Sequence, residues 1–281
     1  SASMCMNHRI DMLARINECL KNKEKIVCIS TQLVEAGVDF SFESVIRVEA
    51  GMDNIAQAAG RCNRSNDFNG ICSVYVVNLR QDVENLGMLH EIETAQRCTK
   101  QLFYRFAKIP VQYDNDLLSE KSISDYYQYL FQDKDMKGIF SFPQKTSYGD
   151  TENLFDLLAE NSKHLQRTSY QGQYFLNQSF KTAGKLFKVF DDNTTVIIVP
   201  YNKEAEEIIA DLYSQKAKYD YFYLKECIEK AKPYTVQIFE YQKQKLQDYG
   251  MLTPVMEQHC MVLDKQCYNQ ETGLMIENFI F

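Results

Sequence analysis

Three side chains in one short stretch have the types and spacing to handle a polyphosphate. Gln57, Arg61 and Arg64 recur at i, i+4 and i+7 within QAAGRCNR, and on a helix those positions stack along one face. An amide and two planar guanidiniums in a row offer fixed donor forks to phosphate oxygens. The opposite positions, Ile55, Ala58, Ala59 and Cys62, suit packing on a sheet. Such a row contacts a triphosphate that another segment grips; it does not hold one unaided.

Positioning that row requires strands before and after it. Residues 25–30 read as a short apolar strand of the kind buried in a parallel sheet. Residues 31–36 read as a one-to-two-turn helix stopped at Gly37, where a left-handed cap is easy. Further strands are expected at 45–48 and 71–78, with the arginine helix over 53–63 between them. An opening helix over 7–22 places Ile10, Leu13, Ile16 and Leu20 at helical spacing, with Asn7 as its cap. Strand alternating with helix over about eighty residues points to an α/β, parallel-sheet unit.

The stretch STQLVEAGVD at 30–39, with QAAGRCNR at 57–64, resembles motifs V and VI of superfamily 2 helicases. The combination is most similar to the helicase–nuclease of type I CRISPR systems. NHR at 7–9, QSFKTAGKLFKVFDDNTTVIIVPYN at 178–202, KPYTVQIF at 232–239 and YNQETGL at 268–274 extend the resemblance along the chain. It implies a truncated RecA-like parallel sheet with flanking helices, a helical connector and a small α+β C-terminal domain. By the same resemblance Arg64 is the finger on the γ-phosphate, Arg61 its companion, and Gln57 orients the nucleotide side. Gly37 and Asp39 belong beside the ribose and attacking water, where Asp39 accepts from a sugar hydroxyl and Gly37 admits close backbone approach. Ser30, Thr31 and Gln32 are implied to meet a phosphate of single-stranded DNA, where a strand feeds a helix N-terminus. Arg9 and His8 are further strand contacts on this reading.

The 281 residues contain no G-x-x-x-x-G-K-[ST] phosphate loop, no DExH-type Mg²⁺ box and no clustered His-Asp nuclease motif. The family keeps those parts upstream, in a nuclease domain and the first RecA-like domain. The chain is therefore expected to begin inside the second RecA-like domain. Alone it is expected neither to hydrolyse ATP nor to cut DNA. ATP and Mg²⁺ belong to the full-length enzyme. Its expected partners are single-stranded DNA, the N-terminal nuclease and first RecA-like domain, and the crRNA-guided surveillance complex.

Composition sets bounds. Nine cysteines without a C-x-x-C pair, in a chain lacking a signal peptide, suggest reduced thiols and a cytoplasmic protein. His259, Cys260 and Cys267 are the nearest approach to a zinc set, and plain packing is the stronger reading. No run of eighteen apolar residues exists, so no membrane partner is expected. Net charge is −7, all of it in residues 81–281, which hold 22 basic and 29 acidic side chains. That acidic remainder is poor material for broad DNA contact, so any strand contact there is expected to be local.

Three regions are expected: 1–82 as part of the second RecA-like domain, 83–173 as a helical connector, and 174–281 as the accessory domain. The connector reads as helices over 83–106 and 115–131, a loop over 132–150, and a helix near 151–160. In the last region, 186–190 and 195–199 read as a hairpin about Asp191-Asp192-Asn193. Asn202 caps a helix whose buried stripe is Ala205, Ile208, Ile209 and Leu212. A helix at 220–231 follows, then strands at 234–239, 259–264 and 274–277. The tyrosine clusters 126, 127, 129 and 219, 221, 223 read as core. Two rival functions fit the same residues: a non-catalytic docking module for the surveillance complex, and half of an RNA helicase from the same superfamily.

Overall fold

The chain divides into two compact units, one of residues 1–40 with 191–281 and one of residues 41–190. A computed structural model describes residues 1–31, 34, 37–80, 86, 89–134, 136, 143–145, 151–162, 177–187, 194–255 and 260–276. It is an α/β protein, as the sequence predicts. Helix α1 (Met6–Lys21) opens the chain and belongs to the first of these units. Its N-cap is Cys5, which makes no side-chain bond, in place of the expected Asn7.

In the 41–190 unit, β1 (Val45–Val48) and β2 (Val74–Val77) pair in parallel, Val45 opposite Val74 through Val48 opposite Val77. Between them α2 (Met52–Ala59) buries Met52, Ile55 and Ala58. This is the expected strand–helix–strand unit, with shorter members. The helix predicted to reach residue 63 stops at Ala59, because Gly60 caps it and Asn63 turns left-handed at φ 47°. The strand predicted at 25–30 does not form; Val27 and Ile29 are 87% and 94% exposed. A buried parallel strand takes its hydrogen bonds from neighbours, and among the described residues the parallel pair β1–β2 has no third member. The short helix predicted over 31–36 falls mostly outside the described residues.

Helices α3 (His90–Lys108) and α4 (Glu120–Gln132) enclose a core of Met52, Ile55, Cys98, Leu102, Tyr113, Tyr126 and Leu130. α4 starts five residues later than predicted. Left-handed Asp114 and Asn115 follow a 3₁₀ turn at Pro110–Tyr113, and Ser119 then caps the helix by accepting from the Ser122 amide. The predicted loop at 132–150 contains a strand, β3 (Pro143–Lys145), paired antiparallel with β4 (Thr151–Asn153). Asn153 caps the short α5 (Leu154–Leu158), which packs with α6 (Phe180–Leu186) through Leu154, Leu157 and Ala183.

The other unit is built on a four-stranded mixed sheet in the order β6-β5-β8-β7. β5 (Thr194–Ile198) runs antiparallel to β6 (Thr235–Phe239) and parallel to β8 (Cys260–Leu263), and β7 (Leu252–Val255) closes the edge. β5 is thus paired with distant strands. Of its predicted hairpin mate, Leu186 ends α6, and 188–193 lie outside the described residues. α7 (Lys203–Leu212) is capped by Asn202, whose side chain accepts from the Ala205 amide at 2.9 Å, and it buries Ala205, Ile208 and Leu212 as expected. α8 (Gln215–Tyr219) and α9 (Tyr221–Ala231) follow. Sequence periodicity misses α10 (Glu240–Asp248), whose one buried residue is Leu246, and edge strand β7, which contains Pro254. β9 (Tyr268–Asn269) and β10 (Gly273–Leu274) form a closing hairpin. No helix among the described residues is long and apolar enough to cross a membrane.

Candidate functional site

The arginine-bearing segment is a loop hung from the end of α2. Gln57 lies exposed in the helix's last turn. Beyond Gly60 the chain tightens, the Arg61 amide donating to Ala58 O at 3.0 Å and the Cys62 amide to Ala59 O at 2.9 Å. A parallel bridge then captures it: the Phe42 amide donates to Arg61 O at 2.9 Å and the Asn63 amide to Phe42 O at 2.8 Å. Asn63 fixes the next bend twice, through Nδ2 to Phe68 O and through Oδ1 from the Phe68 amide, both 3.0 Å. Arg61 is half-buried and Arg64 exposed on this loop. The three groups are brought together locally, but not along one helical face as the spacing predicts, because the helix ends between the first and second of them.

The loop inherits its position from α2, and α2 is clamped where it leaves β1. Gln96 Nε2 donates to Glu49 O and Thr99 Oγ1 to Ala50 O, both at 2.8 Å, from the inward face of α3. Glu49, 7% exposed, forms an ion pair with Lys100 at 3.2 Å, without the alignment of a hydrogen bond. Tyr126 of α4 donates to Asp53 Oδ1 at 3.2 Å. At Gly51 a Cβ would meet the Asp53 carboxylate and the Tyr126 hydroxyl, so only glycine allows this packing. Burial, with Asp53 adding to it, pushes the Tyr126 phenol far above its ordinary range and keeps it a donor. Sequence reasoning missed Gln96, Thr99 and Lys100, and read Tyr126 as core alone. Their signal was Gln96 and Thr99, polar groups one turn apart on a face otherwise apolar. Burial and then the Cys72 thiol raise the Cys62 thiol, so it stays neutral beside the arginines.

The remaining candidates lie in the other unit. Ser30 and Thr31 are exposed in an irregular stretch, with Ser30 Oγ donating to Thr31 O at 2.9 Å. They therefore do not sit at a strand end, contrary to expectation. Gly37 is left-handed at φ 77° with open space about its Cα, and Asp39 is exposed. Gln32 lies outside the described residues. Arg9 is half-buried in the first turn of α1. His8, expected beside it as a strand contact, is fully buried and committed to its own fold. Its Nε2 meets Gln270 O at 2.9 Å and its Nδ1 meets the Tyr268 hydroxyl at 2.9 Å. A carbonyl only accepts, so Nε2 carries the proton and Nδ1 accepts from Tyr268. Tyr201 stacks on the imidazole with centroids 4.4 Å apart, and its hydroxyl donates to Asp11 at 2.8 Å. Among the described residues no three His, Cys, Asp or Glu side chains cluster as a metal site; His259 lies outside them.

The tyrosine clusters divide. Tyr126 is core, as predicted, while Tyr219 and Tyr221 are 79% and 71% exposed because they stand at the corner between α8 and α9.

Residues 1–67 match a family described as "CRISPR-associated nuclease/helicase Cas3, C-terminal". A stretch of 79 residues is 46% identical to the CRISPR-associated nuclease/helicase Cas3 of Haloferax volcanii. That alignment takes in 27% of this chain and 8% of the relative, so the chain spans only a small part of that protein. The family match thus takes in the arginine loop and the 30–39 segment.

Proposed function

We propose that this chain, Cas3-like over its first quarter, supplies the arginine-bearing wall and part of the DNA floor of an ATP-dependent single-stranded DNA translocase in type I CRISPR interference. The observation that carries the reading is the arginine loop. Arg61 and Arg64 follow a helix end pinned by Phe42 and by Asn63, on a backbone fixed before any nucleotide arrives. A guanidinium carried on such a backbone can stabilise charge spread over γ-phosphate oxygens. Gln57, exposed on the preceding turn, orients the nucleotide beside it. Gly37 and Asp39 serve the ribose side, and Ser30, Thr31, Gln32 and Arg9 serve the DNA side. The phosphate loop and Mg²⁺ ligands come from the rest of the enzyme, which opens and closes around ATP.

The test is steady-state ATP hydrolysis by the whole enzyme with Arg61→Ala or Arg64→Ala. DNA-stimulated turnover is expected to fall about 10³–10⁵-fold for Arg64→Ala, with docking on the surveillance complex unchanged. Unaltered turnover, with tight docking of the 281-residue chain by itself, would support the docking-module reading instead.

A further inference from the structure

Three large aromatic side chains stand in solvent at one corner of the unit that carries the mixed sheet. Tyr219, Tyr221 and Phe222 are 79%, 71% and 82% exposed, at the junction of α8 and α9. Tyr221 and Phe222 meet edge to face, with ring centroids 5.9 Å apart and planes at 74°. A soluble fold rarely leaves such a cluster uncovered without a use for it.

The charges interleaved with the rings say what covers them. Lys216 Nζ lies 3.9 Å from the centroid of the Tyr223 ring, and Lys218 Nζ 5.7 Å from that of Tyr219. Lys225 is exposed one turn into α9. Among the described residues none of these three lysines has a carboxylate within ion-pair distance. Of the neighbouring acids, Asp211 lies beside the Tyr223 hydroxyl, one caps a helix and one is paired with a lysine. Asp220 caps α9 by accepting from the Tyr223 amide at 3.0 Å, and Glu226 is held by Lys230 at 2.7 Å. Over residues 215–225 three lysines stand against one aspartate, so the corner is locally basic and aromatic on a chain of net charge −7.

We propose that the Lys216–Lys225 corner is a binding surface for single-stranded nucleic acid, with Tyr221 and Phe222 stacking on unpaired bases and Lys216 and Lys218 meeting the flanking phosphates. Every base has a π-face, so the contact is indifferent to sequence. Duplex bases are already stacked on one another and have no face to offer the rings. The surface shares no residue with the arginine loop and needs no ATP, so it stands apart from the preceding proposal.

The test is fluorescence anisotropy of a short labelled oligo(dT), with the 281-residue chain and three double variants. Tyr221→Ala/Phe222→Ala is expected to weaken binding at least about five-fold. Tyr221→Leu/Phe222→Leu keeps apolar area but removes both π-faces, and it is expected to weaken binding as much. Lys216→Gln/Lys218→Gln is expected to reduce the slope of log affinity against log salt by about 1.4, or about 0.7 for each lost phosphate contact. All four substituted positions are at the surface or on a short helix, and unchanged far-UV circular dichroism checks the fold. Wild-type chain that fails to bind oligo(dT) overturns the proposal. So does a leucine variant that binds as the wild type does, which would mark the corner as an apolar docking face for a protein.

Discussion

An imidazole enclosed on all sides is stable only in the protonation state its neighbours accept. His8 donates from Nε2 to a carbonyl and accepts at Nδ1 from Tyr268, whose oxygen also takes the Cys5 amide at 3.0 Å. A second ring proton, on Nδ1, would face a Tyr268 oxygen that already accepts from Cys5 and whose own proton would then have to turn elsewhere. Burial, the largest influence, holds the His8 pKa below its ordinary 6.5 in the fold. The unfolded chain therefore binds that proton more readily than the folded one. Stability is complete above pH 6.5 and declines as pH falls below it towards the folded value. Melting temperatures measured from pH 8 down to pH 5 are expected to show this decline in the wild type and a shallower one in His8→Gln. Replacing His8 by Ala also opens a cavity and strands two polar partners, at a cost of about 2–4 kcal/mol in chemical denaturation. Little of this was visible beforehand: NHR and YNQETGL stood out as separate words, and nothing in either says that His8 and Tyr268 touch across 260 residues.

At the scale of elements, local chemistry was legible and pairing was not. Asn202 before Glu204 and Glu206 announced the start of α7, because its cap is made within four residues. The β1–α2–β2 order followed from alternating apolar runs. The end of α2 was misjudged, since helical spacing in QAAGRCNR outweighed Gly60 and Asn63, two residues that favour stopping. β5 was paired with its sequence neighbour where the fold pairs it with strands some forty and sixty residues away, a choice made by side-chain packing and not by turn residues. Two expectations follow here. Thr99→Val removes the donor to Ala50 O and is expected to cost about 1–3 kcal/mol. On the proposed function it is also expected to lower ATP turnover in the full-length translocase through a looser α2. Gly273→Ala places a Cβ against the Ser3 carbonyl at a φ of 85°. That strain is expected to cost about 2–4 kcal/mol in thermal or denaturant unfolding; a loss under 0.5 kcal/mol would mean that Ser3 and the β9–β10 hairpin are not packed together.

At the scale of the molecule, each of the two units has its own large core among the described residues. One centres on Leu102, Tyr113 and Tyr126, the other on Ile197, Tyr234, Ile238 and Leu246. Separate cores open separately. Leu102→Ala is expected to cost about 3 kcal/mol and to speed amide exchange within 41–190, while Leu246→Ala speeds it within 1–40 and 191–281. Loss of protection across both units from either change would refute that independence. The central claim is the proposal that the arginine loop meets a triphosphate held by another segment. Its most direct test is single-turnover γ-phosphate release by the proposed full-length translocase, at saturating ATP and DNA, with Arg64→Lys. Lysine keeps the charge and loses the planar fork, so nucleotide affinity is expected to stay within a few-fold while release slows by about 10² or more, a substantial part of what the finger supplies. Release at the wild-type rate would contradict the assignment of Arg64 to the γ-phosphate.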